Sequence, residues 1–179
     1  RATPNLNLIR PADIVETAEA WDVALKTNGP TVLALSRQGL KAYRSEKTNK
    51  NLVSYGGYIL NNTSTDRDIT LIATGSEIEI AMEASEIMYK EGVKATVVSL
   101  PCWELFDKQS EEYKNQVLGN CPRIAIEAAS EMGWSKYIGE NGIFIGMKSF
   151  GASGPATDLY NHFNITSKSI IDSAKLLLK

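Results

Sequence analysis

The chain has 179 residues, with 19 Lys and Arg against 21 Asp and Glu and a formal net charge of −2. That length suits one ordinary domain with a full core, or one domain plus part of another. The charge balance argues against non-specific binding to nucleic acid or to an acidic membrane, since both require a basic surface. No apolar run approaches a membrane span, and no signal peptide opens the chain. The two cysteines, Cys102 and Cys121, fit neither a metal-ligand spacing nor a disulfide framework, so free thiols and a reducing cytoplasm are expected. The sequence starts at Arg1 without Met, which predicts a fragment or a processed product.

Asp13 and Glu16 have the spacing of a capping box. Ile14, Ala18, Trp21 and Leu25 follow at helical intervals, predicting one apolar helix face, and Asn28-Gly29 supplies the stop. A buried strand is expected over 31–36. Residues 41–56 are polar, keep no period, and read as a linker or surface excursion at a domain boundary. Beyond Gly57 the pattern is regular. Strands are predicted at 57–60, 69–75, 93–100, 123–129 and 142–147. A second capping box, Ser76 with Glu79, opens a helix whose apolar face carries Ile80, Ala84, Ile87 and Met88, and Gly92 ends it. Further helices are expected at 104–118, 155–163 and 167–178, the last with Ile170, Ile171, Ala174, Leu177 and Leu178 on one side, and Pro155 suits the first helical position. Such alternation predicts an α/β fold: a small doubly wound, mostly parallel sheet with helices on both faces, preceded by a truncated α/β segment. The expected division is a tail at 1–45, a linker at 46–56 and an α/β domain at 57–179.

Few residues carry chemistry. Arg37 lies just past the strand at 31–36, at the end where parallel sheets hold ligands, and a guanidinium there invites an anion; an ordinary surface Arg is the alternative. Gly75 and Ser76 stand at a strand-to-helix junction whose N–H groups favour an anion, although a turn and a cap explain them as well. The loop at 151–154, before Pro155, offers a similar corner. His162 is the only histidine and has no paired carboxylate, so a surface or packing role is expected. Asp107 and Lys108 read as solvated. Glu127 and Glu131 flank the strand at 123–129 without the marks of an acid–base pair. No catalytic triad, metal cluster or cofactor glycine fingerprint is present.

Taken in order and spacing, "RATPNLNLIRPAD", "ALSRQGL", "LIATGSE", "GVKATVVSLP" with "FDKQ", "GWSKYIG" and "FGASGPA" resemble the carboxyl-terminal part of transketolases over essentially the whole chain. The resemblance implies an enzyme that uses thiamine diphosphate and a divalent metal, Mg or Ca, to move a two-carbon ketol unit between sugar phosphates of the pentose phosphate pathway. It implies a homodimer, with residues 1–45 ending the pyrimidine-binding domain and 57–179 forming a non-catalytic third domain. Arg37 matches the family's "SRQ" arginine, a ligand of the substrate phosphate, and a guanidinium fork suits phosphate oxygens. The family's metal motif, its activating Glu and its substrate histidines find no match in this chain. The chain alone is therefore expected to be inert and to bind no cofactor. A non-catalytic ligand-binding or dimerisation module, and a related thiamine-diphosphate enzyme such as dihydroxyacetone synthase or deoxyxylulose-phosphate synthase, are the alternatives.

Overall fold

The computed structural model describes residues 1–44, 50–61 and 66–179. It opens with β1 (Asn7–Ile9), α1 (Ile14–Lys26) and β2 (Thr31–Leu33). β1 is too short to show a period in the sequence, yet it pairs in parallel with β2, Asn7 beside Thr31 and Ile9 beside Leu33. Asp13 caps α1 by accepting from the Glu16 amide at 2.8 Å. Glu16 reaches back to the Ala12 N–H at 2.6 Å, so the box closes one residue earlier than the spacing predicts.

The apolar stripe on α1 is real but faces outward. Ile14 is 76% exposed, Trp21 53% and Leu25 81%. Glu16, Ala20 and Val23, also at helical intervals, are the buried face instead. Ala20 and Val23 share a small core with Ile9, Val53 and Cys102, which ties α1 to the rest of the molecule. The polar stretch at 41–56 packs where it is described. Arg44 is ion-paired with Glu19 at 2.5 Å, and Val53 is fully buried in a 3-10 turn at Val53–Tyr55. Residues 45–49 of that stretch lie outside the described residues.

A five-stranded sheet follows, built from β3 (Tyr58–Ile59), β4 (Ile69–Ala73), β5 (Ala95–Ser99), β6 (Arg123–Glu127) and β7 (Ile143–Gly146). The order is β3-β5-β4-β6-β7, parallel except for the short edge strand β3, which pairs antiparallel with β5. Every residue of β4 and β5 is buried, because helices cover both faces. Leu71, Ala73, Val97, Ile124 and Ile126 point to α2 (Glu77–Lys90) and α7 (Ser167–Leu177). Ile72, Val98 and Ala125 point the other way, to α3 (Trp103–Phe106), α4 (Glu111–Leu118) and α5 (Ser135–Ile138). α6 (Ala156–His162) is tied to the start of α2, where the Tyr160 hydroxyl donates to Glu77.

Several boundaries differ from the sequence reading. The helix expected at 104–118 is two helices, since Ser110 caps α4 by accepting from the Tyr113 amide at 3.2 Å. α5 had no sequence signal beyond a buried Trp and Tyr. Ser76 is no capping residue: its backbone is already helical, and its hydroxyl donates to Glu77 Oε1 at 2.8 Å. Pro155 stands at the N-cap of α6, one residue before the expected position.

Glu16 stitches α1 to the sheet. It is buried without a cation, and Oε1 accepts from the Tyr58 hydroxyl at 2.7 Å and from Ser99 Oγ at 2.5 Å. Burial pushes its carboxyl above the ordinary value, against the pull of those donors. A raised acid contributes its full stability below the unfolded value and loses it as pH rises through the folded one. Glu16→Gln is expected to cost about 1–3 kcal/mol by turning an amide NH₂ toward the Ala12 N–H. The penalty should be largest in acid and shrink toward neutrality. Thermal melts at several pH values test this, and a penalty independent of pH would refute the shifted carboxyl.

Candidate functional site

The carboxyl ends of β4 and β6 flank the point where the strand order reverses, the place at which doubly wound sheets hold ligands. Here the place is taken by a side chain of the same molecule. Arg10 follows directly on β1 and enters between Glu77, at the start of α2, and Glu127, at the end of β6. Its Nη2 donates to Glu77 Oε2 at 3.1 Å, and its Nη1 donates to Glu127 Oε1. Its main chain is held as well. The Arg10 N–H donates to the Pro101 carbonyl at 2.9 Å, and its carbonyl accepts from the Gly75 amide and Thr74 Oγ1, both at 3.1 Å.

Both carboxylates are fully buried. Glu127 also accepts from Arg1 Nη1 at 2.5 Å and from the indole N–H of Trp134 at 2.8 Å. Burial alone would raise the Glu127 carboxyl, but the Arg1 and Arg10 guanidinium groups outweigh it and hold the group below the ordinary value. The same carboxylates keep Arg10 firmly protonated despite its burial. Arg1 in turn lies over the Trp103 ring, 4.0 Å from its centre. Glu77 Oε1 receives the Tyr160 hydroxyl at 2.7 Å.

Arg10 and Glu77 of this cluster line a cavity of about 410 Å³ between the loop after β2 and α6, together with Leu35, Ser36, Gln38, Tyr160 and Phe163. Arg37 sits between two of those wall residues. It is exposed, and no hydrogen bond or ion pair within the described residues engages it. Gly75 and Ser76 lie at the α2 N-terminus as the sequence reads, but their donors meet the chain's own oxygens, the Arg10 carbonyl and the Glu77 carboxylate. Gly151 and Ala152 line the same cavity.

The other candidates stand apart. His162 is exposed and meets the edge of Phe163. Asp107 accepts from Tyr137 at 3.0 Å and pairs with Lys136, while Glu131 is exposed and separate from Glu127. Cys102 is buried, its thiol pushed up to about 12 by desolvation, and Cys121 is a second free thiol. Among the described residues no group of three or more His, Cys, Asp or Glu is placed to hold a metal ion. The residues present do not fit a metal–diphosphate seat, and the chemistry this site supports is binding and positioning of charge. Arg10, Glu77 and Tyr160 were not legible as site residues; the "RPAD" arginine directly before a capped helix was the one available signal.

Compared with known proteins, residues 56–166 match a family model described as the transketolase-like C-terminal domain. A transketolase from Sinorhizobium medicae is 53% identical over the whole chain, which spans 26% of that relative. Two solved transketolase structures from Pichia stipitis, one described as a complex with sedoheptulose 7-phosphate and one as a mutant with fructose 6-phosphate, each superpose with a TM-score of 0.89 at 40% identity, over 99% of this chain and 26% of theirs. The chain thus spans about a quarter of the length of the relatives it matches. No helix among the described residues is long and apolar enough to cross a membrane. A family model covering most of the chain, and a relative more than half identical along all of it, agree on one assignment: the chain belongs to the transketolase family, and what it carries is that family's carboxyl-terminal part.

Proposed function

We propose that the complete protein carrying this chain transfers a two-carbon ketol unit between sugar phosphates, and that Arg37 grips the substrate phosphate. The observation that carries this reading is Arg37 itself, exposed and unengaged in the loop after β2, which ends at Leu33 rather than at the expected residue 36. Two relatives at 40% identity are described with sugar phosphates bound, which supports the same substrate class. A guanidinium offers phosphate two parallel N–H donors and keeps its charge at any physiological pH.

In this proposal thiamine diphosphate and a divalent metal belong to parts of the protein outside this chain, and the isolated chain is inert. The protein works as a homodimer in the cytoplasm. Residues 1–45 end the pyrimidine-binding domain, 46–56 link, and 57–179 form the third domain. Ile14, Trp21, Leu25, Val32 and Leu35 are the face that the remainder of the pyrimidine-binding domain covers. Gly75 and Ser76 serve the chain's own oxygens, the Arg10 carbonyl and the Glu77 carboxylate.

The test is kinetic. In the complete protein, Arg37→Ala is expected to lower kcat/KM for a phosphorylated acceptor roughly tenfold to a hundredfold, matching the loss of a charge-assisted hydrogen bond worth about 1.5–3 kcal/mol. KM should carry the loss. Thiamine diphosphate affinity and turnover of a short unphosphorylated aldehyde should stay unchanged, and Arg37→Lys should recover part. The isolated chain, assayed alongside, should turn over neither acceptor. Equal losses with both acceptors would make Arg37 structural.

A further inference from the structure

We infer that Arg10, clasped between Glu77 and Glu127, is the positioning residue that aims Arg37 at the substrate phosphate, so that the third domain contributes to phosphate recognition without touching substrate. The inference rests on the reading of Arg37 given above and adds to it the part of the fold that sets its place.

A two-pronged grip on phosphate needs the guanidinium held within about half an ångström of its working position. Arg37 has no hydrogen bond or ion pair of its own among the described residues, and neither Ser36 nor Gln38 carries one. Within this chain its placement comes through the backbone. β2, which delivers it, is three residues long and pairs only with β1 among the described residues. A three-residue parallel pair is weak by itself. The last bond of that pair runs from the Ala34 N–H to the Ile9 carbonyl at 2.9 Å. The residue after Ile9 is Arg10, and Arg37 lies three residues beyond Ala34.

Arg10 is where this pair is fastened to the sheet. Its N–H, its carbonyl and both Nη atoms are bonded to groups at the carboxyl ends of β4, β5 and β6 or to the first residue of α2. The acceptors are themselves fixed. Glu77 is tied by Tyr160 and Ser76, and Glu127 by Arg1 and the Trp134 indole, with Trp134 fully buried beneath. Arg10, Ser36 and Gln38 line one cavity, and the bond from Ala34 to Ile9 joins the base of the Arg37 loop to the residue next to Arg10. A lysine in place of Arg10 keeps the charge but cannot bridge two carboxylates with a planar fork.

The experiment uses the complete protein and two acceptors, glyceraldehyde 3-phosphate and unphosphorylated glycolaldehyde. Arg10→Lys is expected to raise KM for the phosphorylated acceptor about three- to tenfold, with kcat within about twofold and both constants for glycolaldehyde unchanged. In the Arg37→Ala background the same substitution should have no further effect, because Arg10 acts through Arg37. Losses of equal size with both acceptors, or losses that add fully to those of Arg37→Ala, would overturn the inference and leave Arg10 a structural anchor. Should Arg10→Lys fail to fold, Tyr160→Phe loosens Glu77 while keeping the packing. It should give a two- to threefold rise selective for the phosphorylated acceptor, and an unchanged KM overturns the proposal. Selective loss in Arg37→Ala with none in the clasp variants defeats this inference alone. No selectivity in Arg37→Ala defeats the reading beneath it.

Discussion

Glu127→Gln is expected to destabilise the protein by about 3–5 kcal/mol, the usual result of removing one partner from a buried ionic cluster. The carboxylate is fully buried and receives Arg1, Arg10 and the Trp134 indole together. An amide of the same shape removes the charge opposing two guanidinium groups. It also turns NH₂ donors toward groups that can only donate. For a unit of this size the midpoint of thermal unfolding should fall by roughly 6–20 °C. The pH dependence gives the sharper check. The Glu127 carboxyl is held below its ordinary value, so its contribution is present above the unfolded value and lost as pH falls through the folded one. The gap between wild type and variant should therefore be full at neutrality and close in acid, opposite to the trend expected for Glu16→Gln. A gap that stays constant down to the acid limit would mean that the ion pairs at Glu127 add nothing to stability.

The two carboxylates also mark the limit of what the sequence discloses. β4 to β6 are legible because strands buried on both faces are continuous apolar runs, and "ITLIA" and "ATVVS" are buried at every position. Asp13 is legible because a cap and its partner lie three residues apart. Arg37 stands out in the sequence as a cation after an apolar run, and in the structure it is exposed in the loop beyond β2. Arg10, Glu77 and Glu127 are separated by 67 and 117 positions from Arg10 onward, and no local pattern joins them. Only the reversal of strand order brings them together. α1 has two faces at helical spacing, and only one of them is buried within this chain. Ile14, Trp21 and Leu25 form the better apolar stripe, but Glu16 has three donors waiting in the fold and takes the buried side. Tertiary hydrogen bonds decided that face, and they leave no trace in the periodicity.

Gly56→Ala should be among the most damaging single substitutions in the chain. Gly56 ends the turn at Val53–Tyr55 in the left-handed region, with φ +79°. An alanine there costs about 1–2 kcal/mol from backbone strain alone. The added methyl has nowhere to go. It would lie 2.7 Å from the Leu105 carbonyl carbon and still nearer the Phe106 nitrogen and the Cys102 carbonyl oxygen, all main-chain atoms of α3 and its cap. The Cys102 N–H donates to the Gly56 carbonyl at 3.0 Å, so the two backbones are already bound to each other. Relief would require α3 to move, and with it the buried Phe106 and the Trp103 ring that packs on Trp134 beneath Glu127. Overpacking adds about 1–3 kcal/mol even where side chains can yield, and here the neighbours are backbone. A total loss of about 3–5 kcal/mol is expected, seen as a collapse of soluble yield or a much lower melting midpoint. Gly92→Ala isolates the strain. Gly92 has φ +86° but open space where its Cβ would stand, so only the backbone cost of about 1–2 kcal/mol applies. The excess of the first loss over the second measures the close approach between the turn and α3. If the two substitutions cost the same, α3 yields freely to the turn, and the seam between the first segment and the sheet is softer than its hydrogen bonds imply.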